Sequence, residues 1–89
     1  MGLSILGVVT IREVLNKLKW TGSAHDYYVT YVSRGAPNDE VTIPASSILE
    51  LLHDGFLISV DGRETYIPYH RVTLIQSRTG TILLDRRRH

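Results

Sequence analysis

Residues 56–72 read FLISVDGRETYIPYHRV, and this stretch decides the fold. Asp61-Gly62 sits between two apolar–polar alternations, the signature of a two-residue type I′ hairpin. That turn predicts a register in which Val60 faces Arg63, Ser59 faces Glu64, Ile58 faces Thr65, Leu57 faces Tyr66 and Phe56 faces Ile67. The second strand then runs into Ile67-Pro68-Tyr69-His70-Arg71-Val72, where apolar residues flank a proline, an aromatic, an imidazole and a guanidinium. Pro68 has no N–H to donate and a fixed φ, so the run belongs at a sheet edge, a bulge or a corner between strands. In regular strand His70 points away from Tyr69 and Arg71, so a joint His70–Arg71 site requires a bulge near Pro68. The plain alternative is a strand corner in which Tyr69 packs its ring and Arg71 is solvated.

Downstream, Val72 to Gln76 reads as a strand, Arg78-Thr79-Gly80 as a turn and Thr81 to Leu84 as a last strand, completing an antiparallel meander. Upstream, a helix is predicted over 45–53. Pro44 suits its first turn, Ser47 with Glu50 forms a capping box, Ile48, Leu51 and Leu52 make an apolar stripe, and Gly55 ends it. His53 then falls in a last helical turn, which favours an imidazolium without any catalytic role. Val41 to Ile43 is a short extended piece, Arg34 to Asp39 a loop, and Tyr27 to Ser33 a strand dense in aromatic and β-branched residues. A first helix is predicted over 11–19. Thr10 and Glu13 form its capping box, while Ile11, Val14, Leu15 and Leu18 share one face. Trp20 is placed to close that helix end against the sheet, or else to stack a base. Residues 1–9 read as a lead-in strand or arm, and 86–89 as a basic tail. The expected fold is a single α+β domain, 1–89, with two helices packed on an antiparallel sheet of four to six strands and a C-terminal meander. No internal repeat is read from the sequence.

Eighty-nine residues hold one core and bury only roughly 60–65% of the unfolded surface. No window approaches the ~18 apolar residues of a bilayer span, and the N-terminus lacks a signal-peptide pattern, so no membrane association and a cytoplasmic location are expected. The absence of cysteine excludes disulfides and thiolate metal sites. The net charge of +1 conceals local balances of +2 over residues 1–34, −5 over 35–62 and +4 over 63–89, and the basic final third points to an anionic partner.

His25, His53, His70 and His89 lack metal-ligand spacing, and phosphate-loop and dinucleotide motifs are absent; neither a metal nor a cofactor is expected. His70 as general acid/base, with His25 as a partner, is the enzymatic alternative. Anion recognition has more support, because Arg63, Arg71 and Arg78 stand beside the turns of the meander and guanidinium forks match phosphate oxygens. Arg34-Gly35 adds a charge beside a residue free to take φ > 0.

The segments TIREVLNKLKW (10–20), TYVSRGAPND (30–39), ETYIPYHRV (64–72) and GTILLDRR (80–87) resemble a small, mostly archaeal family described as an RNA cyclic-group end recognition domain. The similarity rests on Leu18 with Trp20, on Arg34, on Pro68 with His70 and Arg71, and on Asp85 with Arg86. Ser33 departs from the pattern, since many relatives carry histidine or aspartate there. The resemblance implies a non-enzymatic module for RNA processing or repair that binds phosphorylated RNA ends, above all 2′,3′-cyclic phosphates. Arg34, Gly35, Tyr69, His70 and Arg71 form the expected RNA site, with Arg63, Arg78, Arg86, Arg87 and Arg88 as a secondary basic surface and Trp20 for stacking. The rivals are a phosphoesterase or ribonuclease using His70, and a protein-interaction adaptor.

Overall fold

Two prolines, Pro44 and Pro68, each end a strand in extended geometry (φ −66°, ψ 142° and φ −65°, ψ 145°) and hand the chain to a single turn of 3₁₀-helix. The computed structural model describes residues 10–86, so the lead-in at 1–9 and Arg87, Arg88 and His89 lie outside the described residues. Within them run helix α1 (Ile11–Trp20) and strands β1 (Tyr27–Val32), β2 (Glu40–Pro44), β3 (Ile48–Leu51), β4 (Gly55–Val60), β5 (Arg63–Pro68), β6 (Val72–Ser77) and β7 (Ile82–Asp85). All pairings are antiparallel, in one sheet ordered β2-β1-β6-β7 and another ordered β3-β4-β5.

The hairpin has the predicted register, residue for residue, and Asp61 (φ 51°) and Gly62 (φ 81°) adopt the positive φ pair of a type I′ turn. Helix α1 carries its capping box as read: Thr10 Oγ1 accepts the Glu13 N–H at 3.1 Å and Glu13 Oε1 accepts the Thr10 N–H at 3.0 Å. A ten-residue helix is marginal alone. Burial of Ile11, Leu15 and Leu18 against the strands stabilises it, each side chain contributing about 1.5–3 kcal/mol.

The fold class departs from expectation in two respects. The segment predicted as a second helix, 45–53, is a 3₁₀ turn (Ala45–Ser47) followed by β3, so α1 is the one α-helix among the described residues. The stripe of Ile48, Leu51 and Leu52 fits a helix in isolation, but Ile48, Glu50 and Leu51 pair with Ile58, Leu57 and Phe56 of β4. Without them β4 would lose its neighbour opposite β5 and leave Phe56 and Ile58, both essentially inaccessible, half covered. Tertiary pairing therefore overrides the local pattern. The second departure is that there are two sheets rather than one, because each proline corner moves the chain from one sheet to the other.

These corners also reveal a repeat that the sequence reading lacked. Ile43-Pro44 and Ile48 to Leu51 match Ile67-Pro68 and Val72 to Ile75 in position. The strand after each corner carries one extra, bulged residue, Leu49 opposite β4 and Thr73 opposite β1. β1-β2-corner-β3 and β4-β5-corner-β6 share one wiring, and the third strand of each half pairs with the first strand of the other. The core of Val29, Tyr31, Phe56, Ile58, Ile67, Val72 and Ile75 lies between the sheets, with α1 against β3 and the turns before β1 and β3.

Gly55, opposite Pro68, shows how tightly the second sheet is built: a Cβ there would stand inside contact distance of the Ile67 carbonyl oxygen and 2.7 Å from Cζ of Tyr66. The Tyr66 ring thus uses Gly55 as its floor. Gly55→Ala is expected to destabilise the protein by about 1–3 kcal/mol, because a backbone carbonyl and a ring must both shift. Urea unfolding monitored by circular dichroism checks this, and an unchanged midpoint would contradict the packing described.

Candidate functional site

A 3₁₀ turn has three residues per turn, so successive side chains leave it about 120° apart. The turn Tyr69–Arg71 exploits that fan. Tyr69 points inward: its ring lies 5.9 Å from Phe56, its hydroxyl donates to the Leu52 carbonyl at 2.7 Å, and its N–H donates to the Asp54 carbonyl at 3.0 Å. His70 lines one groove and Arg71 another, on opposite flanks of the corner. The bulge-like irregularity required near Pro68 is present, yet it separates His70 from Arg71.

The first groove, of about 1020 Å³, is walled by the N-terminal turn of α1 with Arg12, by His53 and Asp54 of the β3–β4 turn, by Tyr66, Tyr69 and His70, and by Leu84 and Arg86. Arg12 and His53 were not anticipated. The capping box places Arg12 in the first turn of α1, but nothing local signals which strand that turn faces. His53 lies in a turn rather than a helix, so the dipole argument for it falls away; its Nε2 sits 3.7 Å from Asp54. The N-terminus of α1 and the Arg12 guanidinium together favour negative charge in this groove. Burial pushes the Tyr69 phenol above its ordinary 10.0, and the nearby Arg12 guanidinium draws it partly back.

The second groove runs between the edge strands β2 and β5 and is lined by Tyr31, Val41, Ile43, Thr65, Tyr66, Asp61, Ser33 and Arg71, among others. Tyr31 pairs with Val72, so the end of β1 at Ser33 and the corner holding Arg71 meet at one end of the sheet. Arg34 and Gly35 follow Ser33 in an exposed turn closed by an Ala36 N–H to Ser33 carbonyl bond of 3.2 Å, and Gly35 takes φ 90°. Arg34 therefore follows β1 toward the same end of the sheet as Arg71, while Tyr69 and His70 line the other groove.

The remaining expected residues disperse. Arg86 is not part of a loose tail: its Nε donates to the Val72 carbonyl at 3.2 Å, and its Nη2 donates to the carbonyls of Val72 (2.8 Å), His70 (3.2 Å) and Tyr69 (3.3 Å). It clamps the corner from behind while lining the first groove. Arg78 pairs with Asp26 at 3.6 Å, and its N–H donates to the Asp26 carbonyl. His25 also lies beside Asp26, at 3.9 Å, and precedes the end of β1 that pairs with Ser77, whereas His70 precedes the end of β6 that pairs with Tyr31, so the His25–His70 pair of the enzymatic alternative does not form. Arg63 is exposed at the base of the Asp61-Gly62 turn. Trp20 does not close the helix end; it is 81% exposed, at the opposite end of α1 from the groove. Arg87 and Arg88 lie outside the described residues. Among the described residues no group of three His, Asp or Glu gathers for a metal ion, and no helix is long and apolar enough to cross a membrane.

The profile of the MJ1316 RNA cyclic group end recognition domain matches residues 8–86. The chain is 44% identical over 78 residues to a UPF0248 protein of Pyrobaculum calidifontis, covering 88% of this chain and 99% of that one. It is 39% identical over 77 residues to a UPF0248 protein of Pyrobaculum islandicum, covering 86% and 89%. A UPF0248 protein of Methanococcus maripaludis is 38% identical over 80 residues, covering 86% and 99%. No solved structure matches the chain.

Two measurements probe the corner. Arg86→Lys keeps the charge but loses the fork that reaches three carbonyls, and a loss of about 1–2 kcal/mol is expected in denaturant unfolding. The raised phenol of Tyr69 predicts alkaline sensitivity. The neutral hydroxyl is favoured in the folded state, so its contribution is full below pH 10.0 and is lost as the pH rises through the raised value. Tyr69→Phe should be less stable at neutral pH by about 1–3 kcal/mol, since the Leu52 carbonyl loses its donor, and should lose less further stability above pH 10 than the parent.

Proposed function

The chain belongs to the MJ1316 RNA cyclic group end recognition domain family, and from that premise we propose that it is an RNA-binding module that holds phosphorylated RNA ends, specifically 2′,3′-cyclic phosphates, in the groove of Arg12, His53, His70 and Arg86. One observation carries the reading. The two proline corners share their backbone geometry and wiring, yet the first is built from Ala45-Ser46-Ser47 and the second from Tyr69-His70-Arg71. Alanine and serine suffice to make such a corner. Tyr69 has structural partners, but the exposed His70 and Arg71 answer no demand of the backbone.

A 2′,3′-cyclic phosphate carries one negative charge and no free 2′- or 3′-hydroxyl, so its reader needs donors and a compact cationic face rather than a field of lysines. Arg12 supplies a guanidinium fork, His70 an imidazole donor, and the first turn of α1 a positive dipole end. The half-exposed ring of Tyr66 offers a wall for the terminal base.

A second reading has its own support: His53 and His70 line the same groove, as a phosphoesterase working by general acid–base catalysis would require. A single experiment separates the two. The protein is titrated with short RNAs identical except for a 2′,3′-cyclic phosphate, 3′-phosphate or 3′-hydroxyl end, and each mixture is then assayed for ring opening. The module reading expects the cyclic end to bind tightest and persist intact, with Arg12→Ala and His70→Ala each weakening it by about tenfold, or 1.4 kcal/mol. Ring opening abolished by both His53→Ala and His70→Ala would establish the phosphoesterase instead. Equal affinity for all three ends would overturn end recognition.

A further inference from the structure

The groove proposed for the RNA end leaves the second groove unassigned, although an expected site residue, Arg71, lines it, as does Ser33, the residue before Arg34. Two observations link the grooves. The corner Tyr69–Arg71 divides them, presenting His70 to one and Arg71 to the other. Tyr66 belongs to both, lies on Gly55 and keeps 45% of its surface exposed. The second groove is also polarised along its length. β5 runs from the Asp61-Gly62 turn to the corner, so Asp61 and Arg71 mark ends separated by about 20 Å of strand.

We propose that this groove, between β2 and β5, which are edge strands among the described residues, seats the nucleotide preceding the RNA end. Arg71 holds the phosphate that joins it to the terminal nucleoside, Arg34 lies alongside, and Tyr66 is the aromatic surface at the junction. The proposal rests on the end-binding reading and extends it from a terminal group to a dinucleotide. The charge pattern gives the direction. A phosphate is favoured at the Arg71 end and repelled at the Asp61 end, where a carboxylate can instead accept from a base amino group. The walls suit a nucleoside, since Val41, Ile43 and Ile67 offer apolar surface while Ser59 and Thr65 offer hydroxyls. A protein strand adding to β2 or β5 is the competing occupant of such edges, but it would make no use of a guanidinium at the corner.

The test compares a mononucleotide 2′,3′-cyclic phosphate with a trinucleotide carrying the same end, using the parent protein and Arg71→Ala. The expected result is that the trinucleotide binds the parent about tenfold or more tighter than the mononucleotide. Arg71→Ala is expected to remove most of that gain while changing mononucleotide affinity by less than about twofold. Equal binding of the two by the parent overturns the proposal, as does an Arg71→Ala loss of the same size for both ligands, which would put Arg71 on the terminal group. RNA affinity insensitive to Arg71 also overturns it and is the outcome a strand-binding edge predicts. A trinucleotide ending in 3′-hydroxyl that shows the same Arg71-dependent gain would refute recognition of the end yet sustain the nucleotide groove.

Discussion

A strand that leaves one sheet for another must cross a gap in which its backbone has no ladder partners, and the corner after Pro68 is where this protein meets that constraint. Pro68 removes one N–H from the problem. The Tyr69 N–H finds the Asp54 carbonyl, and the Tyr69, His70 and Val72 carbonyls are gathered by Arg86. Because Arg86 directly follows β7 and its own N–H donates to the Thr73 carbonyl at 2.7 Å, the last strand, the corner and the β3–β4 turn form one bonded unit. The sheet exchange, the closure of the core over Phe56 and the division between the two grooves all depend on that unit holding its shape.

What could be read in advance follows the range of the interactions. The type I′ hairpin and the capped helix α1 are set by residues within a few positions of each other, and both were legible down to register and cap. The segment 45–53 was not, because Ile48, Leu51 and Leu52 satisfy a helical stripe and a bulged strand equally well, and the deciding partner, β4, is supplied only by the folded chain. The repeat was hidden for a related reason. It resides in the proline and apolar positions of the two corners, while the residues between them, Ala45-Ser46-Ser47 and Tyr69-His70-Arg71, share nothing.

The candidate site was legible in part. Its residue types stood out at Pro68-Tyr69-His70-Arg71, but a 3₁₀ turn cannot be distinguished by eye from a strand with a bulge, and only the former sends three neighbours in three directions. The place of Arg12 and His53 in the groove was not legible because the groove is assembled from four separate segments: the start of α1, the β3–β4 turn, the corner and the end of β7. Arg86 reads in the sequence as part of a basic tail and secondary basic surface because a run of arginines at a chain end gives no sign that the first of them has carbonyls to satisfy.

Charge along the chain and charge in space also lead to different pictures of the partner. The +4 balance of the final third suggests a polyanion held by a basic surface. Yet Arg78 is paired with Asp26 and Arg86 has Nε and Nη2 engaged with backbone carbonyls, while Arg12 reaches the corner from elsewhere in the sequence. Among the described residues the cations available at the two grooves are therefore few, and Glu13, Asp54 and Asp61 stand among them. Such a surface has little capacity for the extensive counterion release that drives sequence-independent nucleic-acid binding. It is better matched to one or two phosphates placed in fixed geometry, where a guanidinium fork and a directed donor discriminate between ends of nearly equal charge. On the proposed RNA-end reading, the clamp at the corner serves recognition as well as folding, since it fixes the separation of His70 and Arg71 on which a two-phosphate fit would depend.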